Sequence, residues 1–448
     1  VSRSWSRSVQ ALVGAATALA AATALAVVTA CGGADDSRAR GTADDPVTVS
    51  FWAWTKGSQE VVDAFNATHD TIQVKFEEIP SGGLGGYPKI ANAVKAGIAP
   101  DLLSIEYPQL SAFVSQGSLQ DLSPYLTEDI KKKFLPQTIE MTTLGGRNWA
   151  VPFDAAPQVF YYRKDFFAEH SIEPPATWDE FRNAAERVRK AAPRTRIATF
   201  FPDDPTFFQA MAWQAGAQWF RAGTDAWRID TTDPASQRTA AYWQGLIDDR
   251  LVSTASSFSP EWTGSLKQGT TVGYLGASWG AGVLAGIVPE QKGKWAAVRL
   301  PSQEADRPAS GMLGGSTFAV SKGSTKTAAA VEFALWMATH EDAIKARIGA
   351  STSSALPASP AMVPIAKRAF DTGFYGGQDL YGLFEEAGRS IGPQWVWGPS
   401  PGATNAALGD ELGEVVGGGS TLPRALRKAH EATVADLRKR GLKVEERS

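Results

Sequence analysis

The sequence predicts a mixed α/β protein built in two parts, and three observations carry that prediction. At 448 residues the chain is longer than one ordinary core supports. Between residues 47 and 106 strand-like and helix-like patterns alternate. At 151–163 two apolar, strand-like segments are parted by a short break that holds a single carboxylate, Asp154. Pro152 and Pro157 bracket the break, and each drives its predecessor toward extended geometry. Such a break is either a core strand interrupted by a turn or a hinge between two lobes.

Composition sets the outer bounds. Hydrophobic residues make up 43% and charged residues 20%, as in folded globular proteins. A net charge of −3 and the lack of a dense Lys/Arg face argue against nucleic acid as a partner. The 15 Trp are many, and an indole is costly on a surface unless it is buried or used for contact. The single cysteine, Cys31, excludes an internal disulfide. No metal-ligand spacing and no cofactor fingerprint is found, so neither a metal nor a cofactor is expected.

Residues 1–30 read as a lipoprotein signal peptide. Arg3 and Arg7 give a basic start, an apolar Ala/Leu/Val run follows, and Val28-Thr29-Ala30-Cys31-Gly32 closes it. Cys31 is the expected lipidation site. The run is also long enough to span a bilayer, so a retained anchor helix is the competing reading. An initial Val fits a GTG start codon translated literally. Residues 31–46 lack apolar periodicity and read as a flexible tether reaching at most ~50 Å.

Val47–Trp52 alternates as a strand, and Ser58 is placed to cap a helix bearing Val61, Val62 and Phe65. Ile72–Glu77 alternates again. The Gly-rich 81–86 loop lacks the Lys-Ser/Thr ending of a phosphate loop. A helix with Ile90, Val94 and Ile98 follows, then a short buried strand ending at Glu106. This is a βαβ pattern with a parallel sheet, and such sheets bind ligands beyond the carboxyl ends of their strands. That rule singles out Trp52, Trp54 and Lys56 after the first strand, and Glu106 and Gln109 after the third.

Farther on, Thr177-Trp178-Asp179-Glu180 is a capping box opening a helix that carries Phe181, Ala184, Ala185 and Val188. A strand is expected near Ile197–Phe201, a core helix over 207–216 and another helix over 234–249. Thr271–Gly276 reads as a strand, and an amphipathic helix near 421–441 closes the chain. Gly276-Ala277-Ser278-Trp279-Gly280 matches the G-x-S-x-G elbow of serine hydrolases, with His340 and His430 downstream. No upstream His-Gly-Gly stretch accompanies it, and three fixed positions are a weak signal in a chain with 43 Gly.

The stretches Val151-Pro152-Phe153-Asp154, Val159-Phe160-Tyr161-Tyr162-Arg163-Lys164-Asp165 and Pro174-Pro175-Ala176-Thr177-Trp178-Asp179-Glu180-Phe181 resemble the extracellular solute-binding proteins, family 1, of bacterial ABC sugar importers. Similar marks recur from about Val47 to about Leu426. The resemblance implies a two-lobe periplasmic-binding-protein-like fold, type II, with each lobe a sheet flanked by helices. It assigns 47–153 and 314–355 to the first lobe, and 154–313 and 356–448 to the second. It also implies a non-enzymatic monomer, lipid-anchored on the outer face of the cytoplasmic membrane. That monomer would hand a carbohydrate to two membrane-spanning permease subunits with their ATPase. Gly314, Gly315 and Ser316 fall at the family's second crossover, and 353–360 at the third.

A sugar offers flat C–H faces ringed by hydroxyls, which aromatic rings and carboxylate or amide groups complement. Trp54, Trp279, Trp395 and Trp397 are therefore the expected stacking rings. Glu106, Asp154 and Gln109 are the expected hydroxyl partners, although members of the family often carry an aromatic where Gln109 stands. For Trp279 core packing is the rival reading, and for Trp395 and Trp397 plain loop packing. A neutral sugar held between closing lobes is the expected ligand. A secreted glycosidase, or an esterase using Ser278, is the alternative.

Overall fold

The computed structural model describes residues 41–445 apart from 83–84, 224–225, 350–352 and 394. The expectations for the signal peptide and for Cys31 lie outside the described residues, and no described helix is long and apolar enough to cross a membrane.

One sheet has five strands in the order Ile72–Glu78, Val47–Ala53, Leu102–Glu106, Ser316–Val320 and Val151–Pro152. The first three run parallel, as the βαβ pattern requires. Ser316–Val320 then enters antiparallel beside Leu102–Glu106. Side chains alternate across the pleat. Phe51, Leu102, Phe318 and Val320 pack with Val61, Phe65 and Phe333 on one face. Leu103, Ile105 and Ala319 pack with Ile90, Leu110 and Phe113 on the other. Covering both faces lets Leu102–Ile105 be fully buried.

The second sheet is antiparallel, with Gln158–Arg163 between Gly273–Ala277 and Trp295–Arg299. Its core is aromatic: Phe160 meets Phe181 edge-on at 5.4 Å between centroids. The helix presenting Phe181, Trp178–Ala191, starts with the expected capping box, Thr177 and Glu180 each bonding the other's backbone.

Three chain segments run side by side between the two sheets. Residues 153–158 lie in the middle. On one side Gln158 N–H donates to Gly311 O and Leu313 N–H to Ala156 O, both at 3.1 Å. On the other, Asp154–Ala155 pairs with Leu356–Pro357. The proline-bounded break is thus a crossing between two sheets, in a two-lobe α/β fold.

Two local expectations are corrected. Ser58 is the first helical residue rather than the cap. Gly57 caps that helix at φ 83°, and a Cβ there would stand 2.6 Å from Arg347 O. The 197–201 segment is not a full strand. Its strand pairing is limited to single bridges, Arg196 to Thr271 and Thr199 to Ser253.

Candidate functional site

The carboxyl ends of two adjacent parallel strands bring Trp54 and Glu106 to one edge of the first sheet. Glu106 ends its strand in extended geometry and caps the helix Tyr107–Ser115. The helix Gly86–Ala96 adds Tyr87. Its hydroxyl donates to Glu106 Oε2 at 2.5 Å, and its ring meets Trp54 edge-on at 5.6 Å.

The second crossing closes over this edge. Gly314 and Gly315 sit at φ 77° and 95°, where glycine is favoured. Neighbouring atoms also approach both positions closely. A Cβ on Gly314 would lie 3.3 Å from Glu106 Oε1 and 3.6 Å from Trp279 Nε1, and one on Gly315 would strike Met312 and the Tyr107 ring. Trp279 arrives from the second lobe at the end of Gly273–Ala277, half-buried, its indole N–H donating to Leu313 O at 2.9 Å. Beyond it stands Phe258, 6.2 Å away between ring centroids. Trp54, Tyr87, Glu106, Gly314, Gly315 and Trp279 thus form one cluster drawn from both lobes. Gln109 lies on the first turn of Tyr107–Ser115, half-buried, three residues beyond Glu106.

The carboxyls in and near the cluster are pushed toward their neutral forms. Burial, reinforced by Asp204 and Asp154, pushes the Glu106 carboxyl up to about 7 despite the Tyr87 hydrogen bond. Burial also raises Asp204, which caps the helix Pro205–Gln214 by accepting from Thr206 and Phe207 N–H.

Asp154 and Ser316 are brought together, but with each other. Asp154 Oδ1 accepts Ser316 N–H at 2.6 Å inside the crossing, and Asp154 is only 6% exposed. Burial pushes its carboxyl up to about 6, against the pull of that N–H and of Arg347. The Arg347 guanidinium, fully buried, lies over the Phe153 ring at 4.2 Å. One carboxylate oxygen expected to face ligand hydroxyls is therefore already committed to the hinge.

Trp395 and Trp397 are not presented as open rings. Trp395 stacks on Trp213 at 5.5 Å and 10°, and Trp397 stands edge-on to both. The helix Pro205–Gln214 offers Trp213 as a flat partner, so loop packing occupies the faces expected to stack on ligand. With Tyr107 and Met141 these rings line a cavity of ~140 Å³. Trp213 donates its indole N–H to Gly392 O at 2.8 Å, whereas those of Trp395 and Trp397 have no hydrogen-bond partner among the described residues.

Ser278 is no exposed nucleophile. Its Oγ is buried, donates to Ala155 O at 3.1 Å and accepts Leu356 N–H at 3.4 Å. The elbow reading is overturned because this serine fastens the crossings together.

Tyr87, Asp204 and Phe258 were not singled out from sequence. Asp204 carries a signal, an acidic cap before Pro205 at the first helical position. Nothing in the local pattern tells that its charge bears on Glu106.

Comparison with known proteins adds a lineage. The profile of the bacterial extracellular solute-binding protein family matches residues 53–344. A putative binding protein of Brucella abortus is 28% identical over 203 residues, 43% of this chain and 47% of that one, so the chain spans about half the length of such relatives. The arabinooligosaccharide-binding protein of Bacillus subtilis is 24% identical over 64% of this chain and 67% of its own. Among solved structures, the galacto-N-biose-/lacto-N-biose I-binding protein of a Bifidobacterium longum ABC transporter, in complex with lacto-N-biose, superposes with a TM-score of 0.79 at 26% identity. That superposition covers 89% of this chain and 99% of the other.

Proposed function

Because this chain belongs to the bacterial extracellular solute-binding protein family, we propose that it captures a carbohydrate between its two lobes for an ABC importer. The observation that carries this reading is the two-lobe cluster of aromatic rings and a carboxyl around a glycine pair. Trp54 and Glu106 come from the carboxyl ends of one sheet and Trp279 from the other lobe, with Gly314 leaving the backbone bare between them. Rings match sugar faces and Glu106 matches hydroxyls. The oligosaccharide and disaccharide named for the Bacillus and Bifidobacterium proteins support a ligand of this class.

In this reading Trp54, Glu106, Gln109 and Trp279 contact the sugar, and the backbone at Gly315–Ser316 approaches it. Asp154 acts through the hinge, with its second oxygen available to ligand. The protein works as a monomer, lipidated at Cys31, on the outer face of the membrane beside two permease subunits and their ATPase. Ligand contacts split between lobes favour a closed form, because only that form satisfies both sets.

Thermal-shift screening of the protein against mono- and oligosaccharides tests the proposal. A true ligand at 100 times its Kd adds about 2.7 kcal/mol of apparent stability. A flat response across all saccharides refutes the carbohydrate reading. For the anchor, mass spectrometry of membrane-extracted protein is expected to find a diacylglycerol-modified N-terminal Cys31. Retention of residues 1–30 would exclude it.

A further inference from the structure

A cavity of ~330 Å³ opens on the second lobe, and among the described residues it shares no lining residue with the cluster around Glu106. Three arginines line it: Arg221, Arg228 and Arg238. Each stands where local rules disfavour a cation. Arg221 on Phe220–Ala222 and Arg228 on Trp227–Ile229 lie directly opposite each other in an antiparallel pair. Their side chains leave the same face of the sheet, and like charges so placed destabilise the pair. Arg238 lies on the second turn of the helix Pro234–Asp248, near the end where the macrodipole favours anions over cations.

The acids on the cavity wall, Asp230 and Asp233, are engaged by the local chain. Asp233 accepts Gln218 N–H on one oxygen and Ser236 N–H on the other, both at 2.8 Å. Asp230 accepts the Thr232 hydroxyl at 3.3 Å. Arg221 donates to the neutral side-chain amide of Gln218. Three guanidiniums against two carboxylates leave the cavity with an excess of positive charge. All three arginines are exposed, so their heads are free to turn toward a ligand.

We propose that this cavity is a second binding site, for a phosphate group gripped by Arg221, Arg228 and Arg238. The planar guanidinium fork matches phosphate oxygens in pairs, and such charge-assisted bonds are about twice as strong as neutral ones. A phosphate between the three heads turns their mutual repulsion into shared attraction, and it also suits the nearby helix start. One ligand thus accounts for three unfavourable placements on three separate stretches of chain. The phosphate is either free in solution or the headgroup of an anionic lipid, since both present the same oxygens. The site stands whether or not the cleft binds carbohydrate.

The test is calorimetric titration of the full chain with inorganic phosphate at constant ionic strength, together with flotation on phosphatidylglycerol and phosphatidylcholine vesicles. Arg228→Gln and Arg238→Gln are each expected to weaken phosphate about tenfold. The triple variant Arg221→Gln, Arg228→Gln, Arg238→Gln is expected to lose it, while Arg389→Gln, an exposed arginine outside the cavity, leaves it unchanged. Because the substitutions relieve repulsion, the triple variant without phosphate is expected to melt no lower than wild type. Phosphate binding that needs the three arginines supports a site for the free anion. A preference for phosphatidylglycerol that needs the same arginines, without binding of inorganic phosphate, supports the lipid headgroup as its source. Binding of phosphate and vesicles that is equal in wild type and the triple variant overturns the proposal, as does a wild type that binds neither.

Discussion

Asp154 Oδ1 accepts the backbone N–H of Ser316 at 2.6 Å, joining two chain segments 162 residues apart where they pass between the lobes. Phe153 N–H donates to Ser316 O beside it, so the pair is held from both sides. Removing the carboxylate with Asp154→Ala leaves the Ser316 N–H without its acceptor. A loss of about 1–3 kcal/mol is expected in denaturant unfolding. Asp154→Asn keeps an acceptor and is expected to lose far less. Equal losses for Ala and Asn would mean that the charge, not the hydrogen bond, matters here.

Glu106 makes stability pH-dependent. Its carboxyl is raised from 4.5 to about 7, so burial disfavours the charged form. A raised acid contributes its full stability below about pH 4.5, and that contribution is lost as pH climbs through 7. The full span corresponds to a few kcal/mol at most. Glu106→Gln keeps an acceptor for the Tyr87 hydroxyl and removes the titration. The unliganded variant is therefore expected to gain on wild type as pH rises from 5 to 8, in melting curves taken at each pH. Parallel pH profiles would show that Glu106 is not desolvated. The same variant is expected to bind sugar more weakly, since it loses a charge-assisted acceptor.

Trp279→Ala is expected to cost about 1–3 kcal/mol of sugar affinity, in the range for interface aromatics. The ring is half-buried at the end of a strand, with its N–H on Leu313 O, so fold stability should fall by less. Trp279→Phe separates the two effects by keeping a ring and dropping the N–H. Normal binding with a much lower melting point in Trp279→Ala would assign the residue to the core.

Closure should be visible in solution. Driving a 1:99 closed-to-open ratio to 99:1 takes a ligand preference of about 5.5 kcal/mol for the closed form. Small-angle scattering at saturating sugar is expected to show a smaller radius of gyration. Asp154→Ala, with one strap between crossings released, should compact less at a given sugar concentration. An unchanged radius on saturation would rule out lobe closure.

Ser278→Ala offers a check on the hydrolase alternative. The hydroxyl bonds two crossing segments, so its loss should cost about 1 kcal/mol of stability. Sugar binding should persist, and neither wild type nor variant should hydrolyse an activated ester. Ester turnover abolished by this substitution would restore the nucleophile reading.

Features governed by local rules could be read along the chain. Alternation placed strands at Val47–Trp52 and Ile72–Glu77, a short apolar run placed one ending at Glu106, and the carboxyl-end rule then marked Trp54 and Glu106. The capping box joins Thr177 and Glu180, three positions apart, and could be read directly. The fold settled whatever depends on segments far apart in the chain. It brought Ser316–Val320 back beside Leu102–Glu106, set the Tyr87 hydroxyl on Glu106 and aimed Phe258 toward Trp279. It also turned Asp154 onto Ser316 and took Trp395 into a stack on Trp213. A side chain's composition states which partners it can accept, but burial and non-local packing choose among them, and neither has a period that a linear pattern can display.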